Sequence, residues 1–323
     1  MKAIRIESHG GPEVLQFRDV DPPKPGPGEV RVRLRAAGLN FVDIYQRRGE
    51  YPAPLPHTPG SEGAGVVEDV GEDVSGFKPG DRVAYSGHLG AYAEASVVPA
   101  DSLIPLPESV SFEQGAAFPL QGMTAHYLLH EYRALKPGDV VLIHAAAGGM
   151  GLLLTQWAAR LGARVIGTVS SEEKARTARE AGADEVILYT ERDFVEETKR
   201  ITGGHGADLV IDGVGKATFA GNLEAVAAHG HVVIYGYAGG PPDPIQPLSL
   251  MSRSVTVAGG MLPHFLRSRG ELLTRANSVL QGMREGWLRL RIAETFTLKN
   301  APEAQRRLES RESIGKIVLK IEN

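Results

Sequence analysis

The sequence contains no cysteine. That removes disulfide bonds, thiolate nucleophiles and every cysteine-ligated zinc site from the available chemistry. A signal-peptide core is missing too, because the opening stretch Met1–Gly11 (MKAIRIESHGG) is charged and alternating. Glycine or polar residues interrupt each apolar run well short of membrane-spanning length, so the expectation is a soluble, cytoplasmic chain without a transmembrane helix. Positive charge is not in excess either. The formal net charge is −4, and Arg47-Arg48 and Arg306-Arg307 are only pairs. No basic field exists to hold nucleic acid. Neither a G-x-S-x-G elbow nor an H-E-x-x-H helix occurs, which leaves a hydrolase reading unsupported.

What is present is a globular balance, with 42% hydrophobic and 23% charged residues over 323 positions. That length suits two domains better than one core. Residues 1–110 are rich in proline and glycine and carry short alternating runs. In Glu29–Ala36, Val30, Val32 and Leu34 alternate with charged residues, the pattern of a half-exposed strand. Gly65–Asp69 and Asp81–Tyr85 repeat it, with turns at Pro25–Gly28 and Lys78–Asp81. This half reads as a mostly antiparallel β domain.

From about Gly115 the texture changes. Apolar runs at Asp139–His144, Arg164–Val169, Glu185–Leu188, Leu209–Asp212, His231–Tyr235 and Ser254–Val257 alternate with helical patterns such as Gly151–Leu161 and Glu172–Ala181. Strand-helix alternation at this spacing predicts a doubly wound parallel sheet covered on both faces. Helical periodicity then runs over Leu262–Arg284. A strand at Ile292–Phe296, a helix at Ala301–Ser310 and a strand at Lys316–Ile321 follow, and this tail is expected to pack back onto the first part.

Between the run Asp139–His144 and the helical pattern after it lies Ala145–Gly151 (AAAGGMG). Its spacing matches G-x-G-x-x-G with alanine in the first slot. Gly148 would let the backbone approach a pyrophosphate, and Gly151 would let the helix pack on the strand. Gly149 and Met150 lie between them, where free N–H groups and the positive end of the helix dipole face the phosphates. The second strand ends Thr168-Val169-Ser170-Ser171 with no acid to accept a ribose 2′-hydroxyl, and Lys174 follows one turn on. Hydroxyls with a cation suit a 2′-phosphate, so the expected cofactor is NADPH. Ser170-x-x-Glu173 also fits a capping box, and Glu172 and Glu173 are acids close by.

The blocks Gly11–Leu15, Ala36–Pro52, Pro59–Val74, Gly80–Tyr85, Gly90–Glu94, Gly122–Leu129, His144–Gly151 and Gly167–Ala175, taken in this order, resemble the zinc-free medium-chain dehydrogenases/reductases of the quinone oxidoreductase (zeta-crystallin-like) group. One departure is Ala159, where the signature usually has a basic residue or serine. The resemblance implies a GroES-like catalytic domain of residues 1–122 and 262–323 around a Rossmann domain of residues 123–261. Zinc-dependent relatives carry ligands where this chain has Asn40 and Ser61, beside Glu62, and a four-cysteine lobe that is absent here. Neither zinc site of the family can therefore form. His126 and His130 are one helical turn apart, but no third ligand stands at a recognisable spacing, so no metal is expected. His229 and His231 read as structural.

The same resemblance implies cofactor contacts from Asn40, Phe41, Asp43, Tyr45, Thr124, Tyr127, Gly149, Met150, Ser170, Ser171, Lys174, Tyr189, Tyr237 and Arg311. Relatives often have Asn or Ser in place of Tyr237. Tyr45 and Tyr51 are the expected orienting donors at the reacting end, while amphipathic packing is the other reading of each, and Asp43 equally suits a structural hydrogen bond. Oxidising an unactivated alcohol needs a metal or relay to hold the alkoxide, whereas a quinone delocalises the incoming charge onto an oxygen. The expected activity is NADPH:quinone oxidoreduction, the alternative being reduction of α,β-unsaturated carbonyl compounds of the enoyl or 2-haloacrylate type. RNA binders occur among relatives, but the acidic balance argues against that role. Family members are usually dimers or tetramers, and Ser254–Gly260 would serve as a pairing sheet edge, so a homodimer is expected.

Overall fold

Alternation decides the first long strand, in which Val30, Val32, Leu34 and Ala36 are all buried and face one side of the pleat. The computed structural model describes residues Met1–Glu322. In chain order the elements begin with β1 (Lys2–Arg5), β2 (Gln16–Asp19), β3 (Glu29–Gly38), α1 (Phe41–Arg48), β4 (Glu62–Val70), β5 (Arg82–Ser86), β6 (Ala95–Pro99), β7 (Ile104–Pro105), α2 (Phe112–Gly115) and α3 (Pro119–His130). They continue with β8 (Val140–Ile143), α4 (Gly149–Arg160), β9 (Arg164–Val169), α5 (Glu172–Glu180), β10 (Glu185–Leu188), α6 (Phe194–Ile201), β11 (Ala207–Asp212), α7 (Phe219–Ala225), β12 (Val226–Ile234) and β13 (Thr256–Gly259). The last are α8 (Arg269–Glu285), β14 (Ile292–Thr297), α9 (Ala301–Glu309) and β15 (Lys316–Lys320).

Residues divide into two units. One holds Met1–Leu120, Leu266–Ala276 and the chain from Leu290 onward; the other holds Gln121–Phe265 and Asn277–Arg289. In the first unit a sheet runs β14-β15-β3-β4-β5-β7, and β6 also pairs with β3. Among the described residues of this sheet, only the β14–β15 pair is parallel. The C-terminal strand does return, with Val318 opposite Gly38. Val30, Val32, Leu34, Val67, Val83 and Leu319 share this unit's core.

The second unit is built on six parallel strands in the order β10-β9-β8-β11-β12-β13. In order of occurrence that is third-second-first-fourth-fifth-sixth, the Rossmann arrangement. All four residues of β8 are buried, as a strand covered on both faces requires. Helix α4 buries Leu152, Leu153, Leu154 and Trp157. The strand order reverses between β8 and β11, so loops leaving their carboxyl ends diverge and open a crevice.

Two elements differ from the sequence pattern. The periodicity over Leu262–Arg284 resolves into a 3-10 turn at Leu262–Phe265 and the separate α8. Ser268 and Glu271 form the break: Ser268 Oγ accepts from the Glu271 N–H at 3.2 Å, and Glu271 accepts from the Arg267 N–H at 2.7 Å. This satisfies amide groups at the start of the helix, which otherwise have no partner. Strand β12 begins at Val226 rather than His231, through an irregular register with β11 and a left-handed His229 at φ 60°. Among the described residues, no helix is long and apolar enough to cross a membrane.

Candidate cofactor site and the metal-free cluster

The loop after β8 turns sharply. Ala145 has a left-handed backbone, φ 51°, and its carbonyl accepts from the Gly148 N–H at 2.9 Å. Gly148 is the N-cap of α4, with no side-chain cap bond and no acid in the first turn. The leading amides of α4 therefore have no intrahelical partner and no capping side chain from Gly148, which suits an anion. A Cβ on Gly151 would stand 2.2 Å from the Ala145 oxygen and 2.6 Å from the Ala146 Cα, so only glycine fits there. A Cβ on Gly148 would meet only the Ala145 oxygen, at 3.2 Å, so the constraint there is milder. The alanine in the first slot is accommodated by the neighbouring strand: a Cβ on Gly167 would lie 2.7 Å from the Ala146 methyl.

At the end of β9, Lys174 Nζ donates to Ser170 Oγ at 3.1 Å. Ser171, not Ser170, caps α5, its hydroxyl accepting from the Lys174 N–H at 3.4 Å. The capping box spelled by Ser170 and Glu173 does not form, which leaves the Ser170 hydroxyl beside the ammonium. Glu172 pairs with Arg179 at 3.6 Å. Tyr189, at the end of β10, is 54% exposed. Two hydroxyls, a cation and an aromatic ring so line consecutive strand ends. These residues and the loop fit a phosphorylated dinucleotide.

The other residues of this unit are engaged differently. Thr124 and Tyr127 are buried on α3. The Tyr127 hydroxyl donates to the Gly260 carbonyl at 3.0 Å, and its ring stacks on Phe265 at 4.1 Å. Tyr237 lies against the loop after β11, with its Cβ 3.0 Å from where a Gly215 Cβ would stand. His126 and His130 stack ring on ring at 4.4 Å beside Trp157. Among the described residues, no group of three or more His, Asp or Glu is arranged to hold a metal ion.

In the first unit a buried polar cluster surrounds the start of α1. Lys316 Nζ donates to Asn40 Oδ1 and to Glu62 Oε2, both at 2.7 Å. Asn40 Nδ2 donates to the same Glu62 oxygen at 2.9 Å, and the Leu120 N–H donates to the other at 2.7 Å. The oxygens that a metal would need already hold an ammonium, so a divalent cation does not fit. Asp43 is fully buried and accepts from the Asn40 N–H at 3.0 Å, the Ser61 hydroxyl at 3.0 Å and the Tyr92 hydroxyl at 3.0 Å. Burial pushes its carboxyl up to about 6, while the backbone bond from Asn40, the Tyr92 and Ser61 donors and the Lys316 charge pull the other way. Phe41, Tyr45 and Tyr51 form an aromatic row, with ring centroids 6.2 Å and 5.1 Å apart. Arg311 is exposed just past α9, at φ 58°.

The sequence reading did not single out Lys316 or Tyr92, nor, in the second unit, Asp212 at the end of β11 and Asn222 on α7, whose amide donates to it at 2.7 Å. A lysine opening the apolar run KIVLKI was the available sign for Lys316, because a cation that is buried needs a partner. Nothing local marks Asn222.

Two family models match the chain, an alcohol dehydrogenase GroES-like domain over residues 26–108 and a zinc-binding dehydrogenase over residues 149–276. The chain is similar to a quinone oxidoreductase of Pseudomonas aeruginosa, 45% identical over 98% of this chain and 99% of that protein. It is also similar to a 2-haloacrylate reductase of a Burkholderia species, 41% identical over 98% of each. The solved structure of Escherichia coli quinone oxidoreductase complexed with NADPH superposes with a TM-score of 0.96 at 40% identity, covering 99% of this chain and 100% of that one. Matched end to end at these identities, and with an ammonium where a metal would bind, the chain belongs to the zinc-free quinone oxidoreductase (zeta-crystallin-like) group of the medium-chain dehydrogenases/reductases.

Proposed function

We propose that this protein reduces a quinone with NADPH and without a metal. The carrying observation is the pairing of Lys174 with Ser170, 3.1 Å apart, at a strand end that has no acid. The leading amides of α4, from Gly149, Met150 and Gly151, hold the pyrophosphate. Ser170, Ser171 and Lys174 hold the 2′-phosphate, and the exposed ring of Tyr189 lies beside them. When bound, NADPH supplies the hydride.

The hydroxyls of Tyr45 and Tyr51 donate to the acceptor oxygen that gains negative charge, which lowers the barrier to transfer. Asn40, Phe41, Thr124, Tyr237 and Arg311 complete the contacts to the cofactor. Asp43, already accepting four hydrogen bonds, acts by holding Asn40 and Ser61. The protein works in the cytoplasm as a homodimer. Stopped-flow oxidation of NADPH with 1,4-benzoquinone and a naphthoquinone tests the reading, and absence of turnover across several quinones would sink it. The likeness to a 2-haloacrylate reductase favours activated double bonds as the second acceptor class. Side-by-side rates with α,β-unsaturated ketones decide between them.

A further inference from the structure

A buried polar network lies behind the phosphate loop, and none of the contacts assigned above uses it. Asp212, at the end of β11, is fully buried. Its Oδ1 accepts from the Val214 and Gly215 N–H groups at 2.6 and 3.2 Å. Its Oδ2 accepts from the Thr218 hydroxyl and from Asn222 Nδ2, both at 2.7 Å. A carboxylate only accepts, so the Asn222 amide is fixed with its oxygen turned away. That oxygen lies 2.6 Å from His144 Nε2, which must therefore carry the proton. Burial holds the imidazole neutral, so its Nδ1 is the acceptor for the Thr168 hydroxyl at 2.9 Å. The ring edge packs against Phe194 at 4.9 Å.

The members of this network come from the carboxyl ends of β8, β9 and β11 and from α7, on both sides of the point where strand order reverses. Each is next to a loop. His144 directly precedes the left-handed Ala145. Thr168 lies two residues before Ser170, and its carbonyl accepts from the Ala146 N–H at 3.1 Å. Asp212 anchors the turn against which Tyr237 lies. Every bond capacity of the His144 ring is used, so the three loops cannot shift independently without orphaning a buried group.

We infer that His144, clamped between Thr168 and Asn222, locks the loops for the pyrophosphate and the 2′-phosphate into one preformed piece before NADPH arrives. His144, Thr168 and Asn222 are thus positioning residues for cofactor binding, acting through the backbone of Ala145–Gly151. The inference rests on the NADPH reading and extends it to residues that touch no phosphate. A preformed loop spends none of the binding energy on ordering itself.

The test uses the whole chain. In the unliganded protein, hydrogen exchange at the Ala146 and Gly148 amides, which donate to the Thr168 and Ala145 carbonyls, should already be slow. Thr168→Val removes the hydroxyl at constant volume, and it should raise the dissociation constants of NADPH and NADH alike, by about tenfold. Thr168→Ser keeps the donor and should bind both near the unaltered level, with quinone KM unchanged throughout. Free exchange of the Ala146 and Gly148 amides until NADPH is added would overturn the inference even if no variant folds. So would unaltered affinity in folded Thr168→Val, equal loss in Thr168→Ser, or a loss confined to NADPH. Failure of the unaltered chain to bind NADPH at all would overturn the cofactor reading itself, and this inference with it.

Discussion

Lys174 reaches back to Ser170 and so sets a positive charge beside two hydroxyls at the end of β9. A phosphate there gains charge-assisted bonds that a bare ribose hydroxyl cannot match. Lys174→Ala should weaken NADPH by about tenfold or more and leave NADH nearly unchanged in titrations of both cofactors. Equal losses would falsify the 2′-phosphate assignment. Asp43 gives a second expectation. Its folded carboxyl titrates at about 6, against 3.8 ordinarily, so between these values the folded chain binds more protons than the unfolded one. Its contribution to stability is complete below the lower value and is lost as pH rises through the higher. Urea unfolding of the unaltered chain and of Asp43→Asn should show their stability difference shrinking from about pH 4 to pH 6, by at most about 3 kcal/mol. A difference that widens over this range would contradict the assignment.

At the level of elements, strand and helix positions followed from periodicity, because a side chain's burial is fixed by its place on a pleat or helix face. The strands β3, β9 and β10 and the helices α4, α5 and α9 lie within a few residues of where the pattern put them. Periodicity failed at Leu262–Arg284, because it records which face is buried but not where hydrogen bonding is interrupted. The capping pair Ser268 and Glu271 was written there, yet an apolar repeat ran past it. The glycine-rich loop after β8 has a strict glycine requirement at Gly151. A Gly151→Ala methyl would press on the Ala145 oxygen and the Ala146 Cα, and backbone cannot yield as a flexible side chain would. NADPH affinity should fall by about a hundredfold, measured by fluorescence titration. Unchanged binding would show that the loop relaxes at little cost.

For the whole molecule, β13 forms one edge of the parallel sheet. The 3-10 turn before it, Pro247–Arg253, exposes Leu248 and Met251 at 73% and 71%. An unpaired edge beside apolar side chains suits a two-fold contact in which each strand pairs with its copy. The proposed homodimer predicts about twice the chain mass by light scattering, and Met251→Lys should shift the mass toward the monomer. A single-chain mass for the unaltered protein would remove the dimer and leave the cofactor reading untouched.

The sequence by itself determined the two textures, the parallel sheet, the glycine-rich loop between β8 and α4 and the absence of zinc ligands, because each is a matter of local pattern or of residue chemistry. The grouping of Ser170, Ser171 and Lys174 at the end of β9 was also legible, because they stand at a fixed offset from that loop. Only the tertiary structure decided which of Ser170 and Ser171 caps α5, that Lys316 lies against Asn40 and Glu62, and that His144 is held by Asn222. The last two join residues 276 and 78 positions apart. No local pattern encodes such pairs. They form because a buried charge or amide must find a partner once the strands have met, and the fold supplies it.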